Sequence, residues 1–419
     1  MSSDIYETIA LRADPVYDGI DVIIEALEAF IREHGLIIYG GLAIDYALRL
    51  RGGKIYPDDL LQIDYDFMSP DSVNHAYAIA DLFHSLGRES RAINASHVGT
   101  MRVDVGDSHF LADVSYMPRE IFHAIPTVEW RGMKCIHPDL QRIDMHHALA
   151  FPYEYAPMES IFNRWRKDVK RFGMLAEAYP IECEVVTSAE PIVRVRNDNS
   201  FIWGADAAYA IMYTTIAGDG VIPDCYESRC TYEDGFVTFR GNVVVLSSDP
   251  DKAALALGCK GTRYHEFINL TPVCVHGTAP FGSCTIVDTS EDLVSFTTWN
   301  VGNKTIRIAS AQWCSMWYLG QYHRSKIEGK EDRMMLYKYT SLQRLISLNA
   351  RISGLSIDVY GHTNTNLSKK VQTQRLLKEK GMPAQEFIQP RNYTPGKGPS
   401  PTFSYDDNVI YMRSGTPTA

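Results

Sequence analysis

The chain has 419 residues, 45% hydrophobic and 22% charged, which is enough to bury ordinary cores in two or three domains and excludes a largely disordered or collagen-like chain. No apolar run approaches the roughly 18 residues that span a bilayer, and the N-terminus lacks the basic flank and apolar core of a signal peptide, so a soluble chain with eight mostly reduced cysteines is expected. The net charge of −10 is uneven: 12 basic against 24 acidic residues over 1–158 (−12), 12 against 19 over 159–300 (−7), and 17 against 8 over 301–419 (+9), a split that suits metal ions at the front and a polyanion at the back.

Ile20, Ile23, Ile24, Leu27 and Ile31 predict a helix over 17–34, ended by Gly35. A short strand over 36–39 runs into Gly40-Gly41 and then a helix over 42–50. A strand over 62–68 carries Asp64 and Asp66. A helix covers 72–87, and residues 100–105 and 108–117 form a hairpin turning at Gly106-Asp107. This order of elements is α+β. Residues 159–178 make a basic amphipathic helix, followed by a polar linker over 179–191.

Beyond the linker the sequence repeats itself. Residues 38–47 can be set on 202–211, and 67–71 on 247–251. Matching Pro70 with Pro250 places Val244 at Asp64 and Leu246 at Asp66, which predicts a second domain that has lost its acids. Basic helices follow over 325–352 and 365–380, then a Pro- and Gly-rich extended tail whose Phe403, Tyr405 and Tyr411 pack along a surface. The predicted division is 1–158, a basic linker helix 159–185, a degenerate copy 186–350, and a basic helix with tail 351–419.

Residues two apart in a strand share a face, so Asp64 and Asp66 project together and Tyr65 projects opposite. Such carboxylates repel unless a cation lies between them, and Mg²⁺ takes oxygen ligands of this kind. Asp113, amid apolar and small neighbours, offers a third; its rival, Asp104, adjoins the Gly106-Asp107 turn. Three carboxylates can bind two metals, one activating a hydroxyl and one neutralising a triphosphate. Gly40-Gly41 before a helix lets backbone approach phosphate. Each feature alone has a plain structural explanation, a tight turn or a solvated acid. Their order along one chain favours the chemical one.

Lys167, Lys170 and Arg171 share one side of the basic helix, as triphosphate or RNA contacts or as a solvated face. Ser96 and His97 are weaker candidates for base contact. Arg324, Lys326, Lys330, Arg333, Lys338 and Arg344, with Lys369, Lys370 and Arg375, are candidates for an RNA path. Trp313, Trp317, Tyr318, Tyr322 and Tyr337 either stack bases or form core.

Gly40-Gly41, Asp64-x-Asp66 and Asp113 resemble the nucleotidyltransferase superfamily typified by DNA polymerase beta. More closely, Tyr39-Gly40-Gly41-Leu42-Ala43-Ile44, Ile55-Tyr56-Pro57 and Asp64-Tyr65-Asp66-Phe67-Met68-Ser69-Pro70 resemble the catalytic poly(A) polymerases of giant (nucleocytoplasmic large) DNA viruses. The resemblance is good over residues 30–175 and thinner beyond, where such proteins carry a degenerate nucleotidyltransferase-like domain. It implies template-independent addition of AMP from ATP to RNA 3′ ends, with two Mg²⁺ or Mn²⁺ ions on Asp64, Asp66 and Asp113. Gly40, Gly41, Lys167 and Arg171 would bind the nucleotide. A homodimer and a cytoplasmic place, in a viral factory or virion, are further implications. Uridylyl or CCA addition, or a non-catalytic RNA-binding scaffold of the same fold, stay open as alternatives.

Overall fold

The structure, a computed structural model, describes residues 19–58, 64–95, 99–106, 109–151, 161–186, 190–198, 200–217, 229–266, 271–289, 294–301, 303–348, 358–359 and 392–405. The predicted helix over 365–380, with Lys369, Lys370 and Arg375, lies outside them, as do Ser96, His97 and Tyr411. The described residues form two compact units. One takes the chain up to residue 141, then 173–179 and 392–405; the other takes 142–172 and 180–359.

In the first unit, helix α1 (Ile20–Glu33) buries the four isoleucines and one leucine set at helical spacing. Strand β1 (Ile37–Ile38) runs through Tyr39 into helix α2 (Gly40–Arg49), followed by β2 (Tyr65–Ser69), α3 (Ser72–Ser85), β3 (Ser90–Asn94), β4 (Thr100–Val105) and β5 (His109–Tyr116). Then come α4 (Arg119–Ala124), β6 (Thr127–Trp130) and β7 (Met133–Ile136); α5 (Pro138–Ala150) begins in this unit and from residue 142 belongs to the second. The strands form one sheet in the order β3-β4-β5-β2-β1-β7-β6. Strand β2 is parallel to β5 and β1 to β7; the other pairings are antiparallel. Alternation along β2 buries Tyr65, Phe67 and Ser69 and turns Asp66 to the opposite face.

The tail returns to this unit. Tyr393 exchanges both main-chain hydrogen bonds with Ala92 of the edge strand β3, at 2.9 and 2.8 Å. The Val73 amide donates to the Tyr405 hydroxyl at 3.1 Å, and the Tyr405 ring stacks on Tyr116. An edge strand left bare is a template for unwanted pairing, and the tail covers part of this one.

Helix α6 (Ile161–Ala178) leads to the second unit, with β8 (Ile192–Arg196), β9 (Ile202–Trp203), α7 (Ala205–Ala217), β10 (Thr231–Glu233), β11 (Phe236–Arg240), β12 (Val243–Ser247) and α8 (Pro250–Leu257). Strands β13 (Lys260–Glu266), β14 (Thr271–Ala279), β15 (Gly282–Asp288), β16 (Ser295–Val301) and β17 (Lys304–Ala309) precede α9 (Ala311–Ile327), α10 (Arg333–Leu348) and β18 (Asp358–Val359). The large sheet runs β13-β14-β15-β12-β9-β17-β16-β18, which is the order of the first sheet with one strand added. The directions match as well: β12 is parallel to β15 and β9 to β17. A separate sheet, β10-β11-β8, completes the unit.

The second domain is therefore a copy of the first, but its alignment differs from the one expected, by one residue at the strand–helix junction, where Ile38 falls on Trp203, and by two residues along the acid-bearing strand. Asp66 accepts the Tyr39 amide as Val244 accepts that of Gly204, and Asp66 pairs with Asp113 as Val244 pairs with Thr285. Val244 is thus the counterpart of Asp66, and Asn242 that of Asp64. The prolines misled because they hold different places. Pro70 precedes the N-cap Asp71, whereas Pro250 follows the N-cap Asp249 as the first helical residue.

One further expectation changes. The predicted helix over 325–352 is two helices, broken at Gly329 with φ +71°. Trp313, Trp317, Tyr318, Tyr322 and Tyr337 are all buried, so the core alternative holds for them. Among the described residues no helix is long and apolar enough to cross a membrane.

Candidate active site

The chemistry expected of the first unit gathers on one face of its sheet. Strand periodicity puts Asp64, just before β2, on the side of Asp66. Asp64 is exposed and Asp66 half-buried. Parallel pairing of β2 with β5 sets Asp113 directly beside Asp66. Asp104 is placed differently: a register shift after Val103 leaves it fully buried in an ion pair with Arg91. The third acid on the Asp66 face is Asp113.

Gly40 opens α2 with φ +70°, and a Cβ there would lie 2.5 Å from Asp66 Oδ2. Glycine is needed on both counts, for the left-handed backbone and for the space over the carboxylate. The free amides at the N-terminus of α2 stand at that opening, where an anion is favoured. Tyr39 fixes the turn: its amide donates to Asp66 O at 2.9 Å, and its hydroxyl hydrogen-bonds Ser115 Oγ at 2.9 Å.

Sequence reasoning missed Arg102. It lies directly across from Asp113 in the β4–β5 pair and donates from Nε to Oδ1 at 2.6 Å and from Nη2 to Oδ2 at 2.5 Å. Hydrogen bonding to Asp113 raises its pKa, against the effect of burial, and the charges of Asp64 and Asp66 add to the rise. Arg102 is therefore a resident cation within reach of all three carboxylates. The signal lay in the hairpin: folding 100–105 back on 109–116 puts the one basic residue of β4 opposite its acid.

Asp64, Asp66 and Asp113 offer only carboxylate oxygens, the donor set of a hard divalent cation, and the Gly40 opening leaves space over one of them. The residues fit such an ion. Among the described residues, however, no three Asp, Glu, His or Cys side chains converge as a ready ligand group; Asp113 is instead clamped by Arg102. Lys167 and Arg171, the former exposed and the latter half-buried, lie on the part of α6 that clusters with the second unit.

The second unit keeps the frame without the acids of the first. Ala205, with φ +43°, stands at the place of Gly40, and Asp206 at that of Gly41. The Arg102–Asp113 pair becomes His276 and Thr285, hydrogen-bonded at 2.9 Å. Asp206 turns inward. Its Oδ2 accepts the Asn242 amide, and its Oδ1 accepts from the Tyr318 hydroxyl and from Lys338 Nζ, each at 2.8 Å. Lys338, expected among the RNA contacts, is fully buried and also donates to Glu190. Burial works against its charge, but Asp206 and Glu190 outweigh that and raise its pKa.

Residues 25–155 match the sequence model of the family described as "Poly(A) polymerase catalytic subunit". Proteins named as poly(A) polymerase catalytic subunits are 40% identical over 219 residues in a Kenyan pig isolate of African swine fever virus (50% of this chain, 44% of that protein), and 34% identical over 285 residues in the Vero-adapted Badajoz strain (64% and 58%). One from Acanthamoeba polyphaga mimivirus is 27% identical over 166 residues, 38% of this chain and 27% of that protein. The chain spans about half the length of the curated relatives it matches. The crystal structure of the Megavirus polyadenylate synthase superposes with a TM-score of 0.71 at 18% identity, covering 94% of this chain and 84% of that one, which shows a shared fold. In sequence over residues 25–155, and in fold over nearly its whole length, this chain is similar to the poly(A) polymerase catalytic subunits of giant DNA viruses.

Proposed function

We propose that the chain is a template-independent poly(A) polymerase that transfers AMP from ATP to the 3′ end of RNA, with residues 1–158 as its catalytic domain. The observation that carries this reading is the placement of Asp66 and Asp113 side by side on parallel strands, under a glycine-opened helix N-terminus. Asp64, Asp66 and Asp113 would hold two Mg²⁺ or Mn²⁺ ions, which when bound neutralise the triphosphate and lower the pKa of the attacking hydroxyl. The amides at Gly40 and Gly41 would receive phosphate oxygens, with Lys167 and Arg171 adding positive charge. Asp113 Oδ, oriented by Arg102, would stand next to the RNA 3′-hydroxyl. Work as a homodimer, in the cytoplasm or viral factory, belongs to the same proposal.

The test is extension of a labelled RNA primer by the full chain with each NTP separately, in Mg²⁺ or Mn²⁺. Extension with ATP alone is expected. Extension with UTP or CTP instead would keep nucleotidyl transfer and overturn the base assignment. No extension with any nucleotide would overturn the enzyme reading in favour of an RNA-binding scaffold.

A further inference from the structure

The small sheet β10-β11-β8 belongs only to the second unit; among the described residues the first unit has no counterpart to it. Its inner face buries Val193, Val195, Val237 and Phe239. Its outer face follows from the alternation and the pairing: Arg194 lies across from Thr238, Arg196 from Phe236 and Arg240 from Ile192. All three arginines are exposed, and Ile192 is 64% exposed. Among the described residues none of the three forms a salt bridge. Arg240 makes one long contact, 3.5 Å to Glu190 O. Asp198, which feels Arg196, is mainly held by Ser200. Glu233, across from Phe236, is the one acid in register on this face. The Arg194 guanidinium lies over the Phe236 ring at 4.1 Å.

A chain with a net charge of −10 has thus collected three unneutralised guanidiniums on an open antiparallel sheet. Along β8, Arg194 and Arg196 are roughly 6.6 Å apart. Guanidinium pairs with phosphate in a fork, and an arginine–aromatic pair gives bases a surface on which to stack. We propose that this face binds the backbone of single-stranded RNA, as a holding site on the copy that lost its acids. The choice of RNA as the polyanion rests on the proposed activity. An acidic protein surface, including a second copy of this chain, would meet the charge but leave the stacked ring without a role.

The experiment is titration of a labelled oligo(A) strand against the full chain at several salt concentrations, without ATP or divalent metal. R194E/R196E/R240E should bind at least about tenfold more weakly at low salt, with its log–log salt slope reduced by about 2, since each single-strand phosphate contact contributes roughly 0.7. R194K/R196K/R240K should keep most of the slope. If the reversed variant melts early, R194Q/R196Q/R240Q replaces it with the same expectation. Unchanged affinity and slope, or no binding of oligo(A) by wild type, would overturn the site. So would a reversal that alters sedimentation mass but not RNA affinity, which would make the face a protein interface. Primer extension separates the two proposals. RNA binding lost on reversal in a chain that transfers no nucleotide supports the site and sinks the polymerase reading; AMP transfer with RNA affinity indifferent to reversal does the opposite.

Discussion

Where β1 meets α2, the first unit leaves an opening over Asp66 that even a methyl group would close; at the equivalent junction of β9 and α7, the second unit fills the space with Asp206 and seals it with Lys338 and Tyr318. The sheets around both junctions share strand order, direction and register. The difference is the one the proposed activity calls for. Acids held close together on one sheet face are destabilising without a cation, so a copy with no cation to hold can drop them. In their place stand Asn242, Val244 and Thr285, and the one acid added, Asp206, is paired internally. In the first unit the positive charge is a half-buried arginine at the edge of the opening, leaving Asp64 exposed; in the second it is a lysine wholly inside.

The comparison breaks most sharply at the acids. Asp64→Ala with Asp66→Ala should lower AMP incorporation by roughly 10⁴-fold or more, because groups acting as one unit fail together. Its melting temperature should not fall. Asn242→Ala, at the place of Asp64 in the copy, should leave incorporation unchanged. Wild-type tailing by the double variant would remove the catalytic role from this face.

Next in size is Lys338→Met. It strands Asp206 and Glu190 as buried charges without their ammonium, a loss of about 3–5 kcal/mol in urea unfolding. A loss under about 1 kcal/mol would mean that the cluster is not the seal described.

Acid should come next. Burial lowers the pKa of His146 to about 4 from 6.5, against a hydrogen bond with Gln312. Below pH 6.5 the unfolded chain takes up a proton that folded His146 refuses until about pH 4. Stability therefore falls with pH across that window, by roughly 3 kcal/mol at its foot. His75, half-buried in the first unit and also lowered by burial, acts in the same sense. Unfolding followed by tryptophan fluorescence should show this slope, and His146→Gln should flatten it; an unchanged slope would assign the effect to another group.

The smallest effect is also the most local. Gly40→Ala should cost about 1–2 kcal/mol for its left-handed backbone alone, and should displace Asp66. Ala205→Gly, at the matching left-handed position, should change stability by less than about 1 kcal/mol. Equal penalties would deny that the two junctions differ.

Much of this frame was legible in the sequence because it obeys short periods. The 3.6-residue repeat of Ile20 to Ile31 marks α1, and the two-residue repeat of Asp64 and Asp66 marks the charged face of β2. Asp113 was found as a lone acid in an apolar strand. What escaped depends on pairing between strands and on tertiary burial. Arg102 becomes meaningful only once the hairpin register is known, and that register shifts between Val103 and Asp104. Lys338 looked like one basic residue among many, although its neighbours Leu336, Tyr337 and Tyr339 already formed an apolar stretch. The repeat itself was visible, but its alignment followed prolines, when the conserved physical feature is the N-cap aspartate of the next helix, Asp71 and Asp249. The arginine face needed β8 and β11, distant in sequence, to be laid side by side.

The return of residues 392–405 to the first unit makes order of synthesis matter. The opening strands and helices leave the ribosome early, yet the segment that pairs with Ala92 arrives only after some three hundred further residues. Until then β3 must wait with its edge bare, while the whole second unit is translated and folds in between. A nascent chain halted before Tyr393 would hold every proposed catalytic residue and still present an unpaired strand to its neighbours.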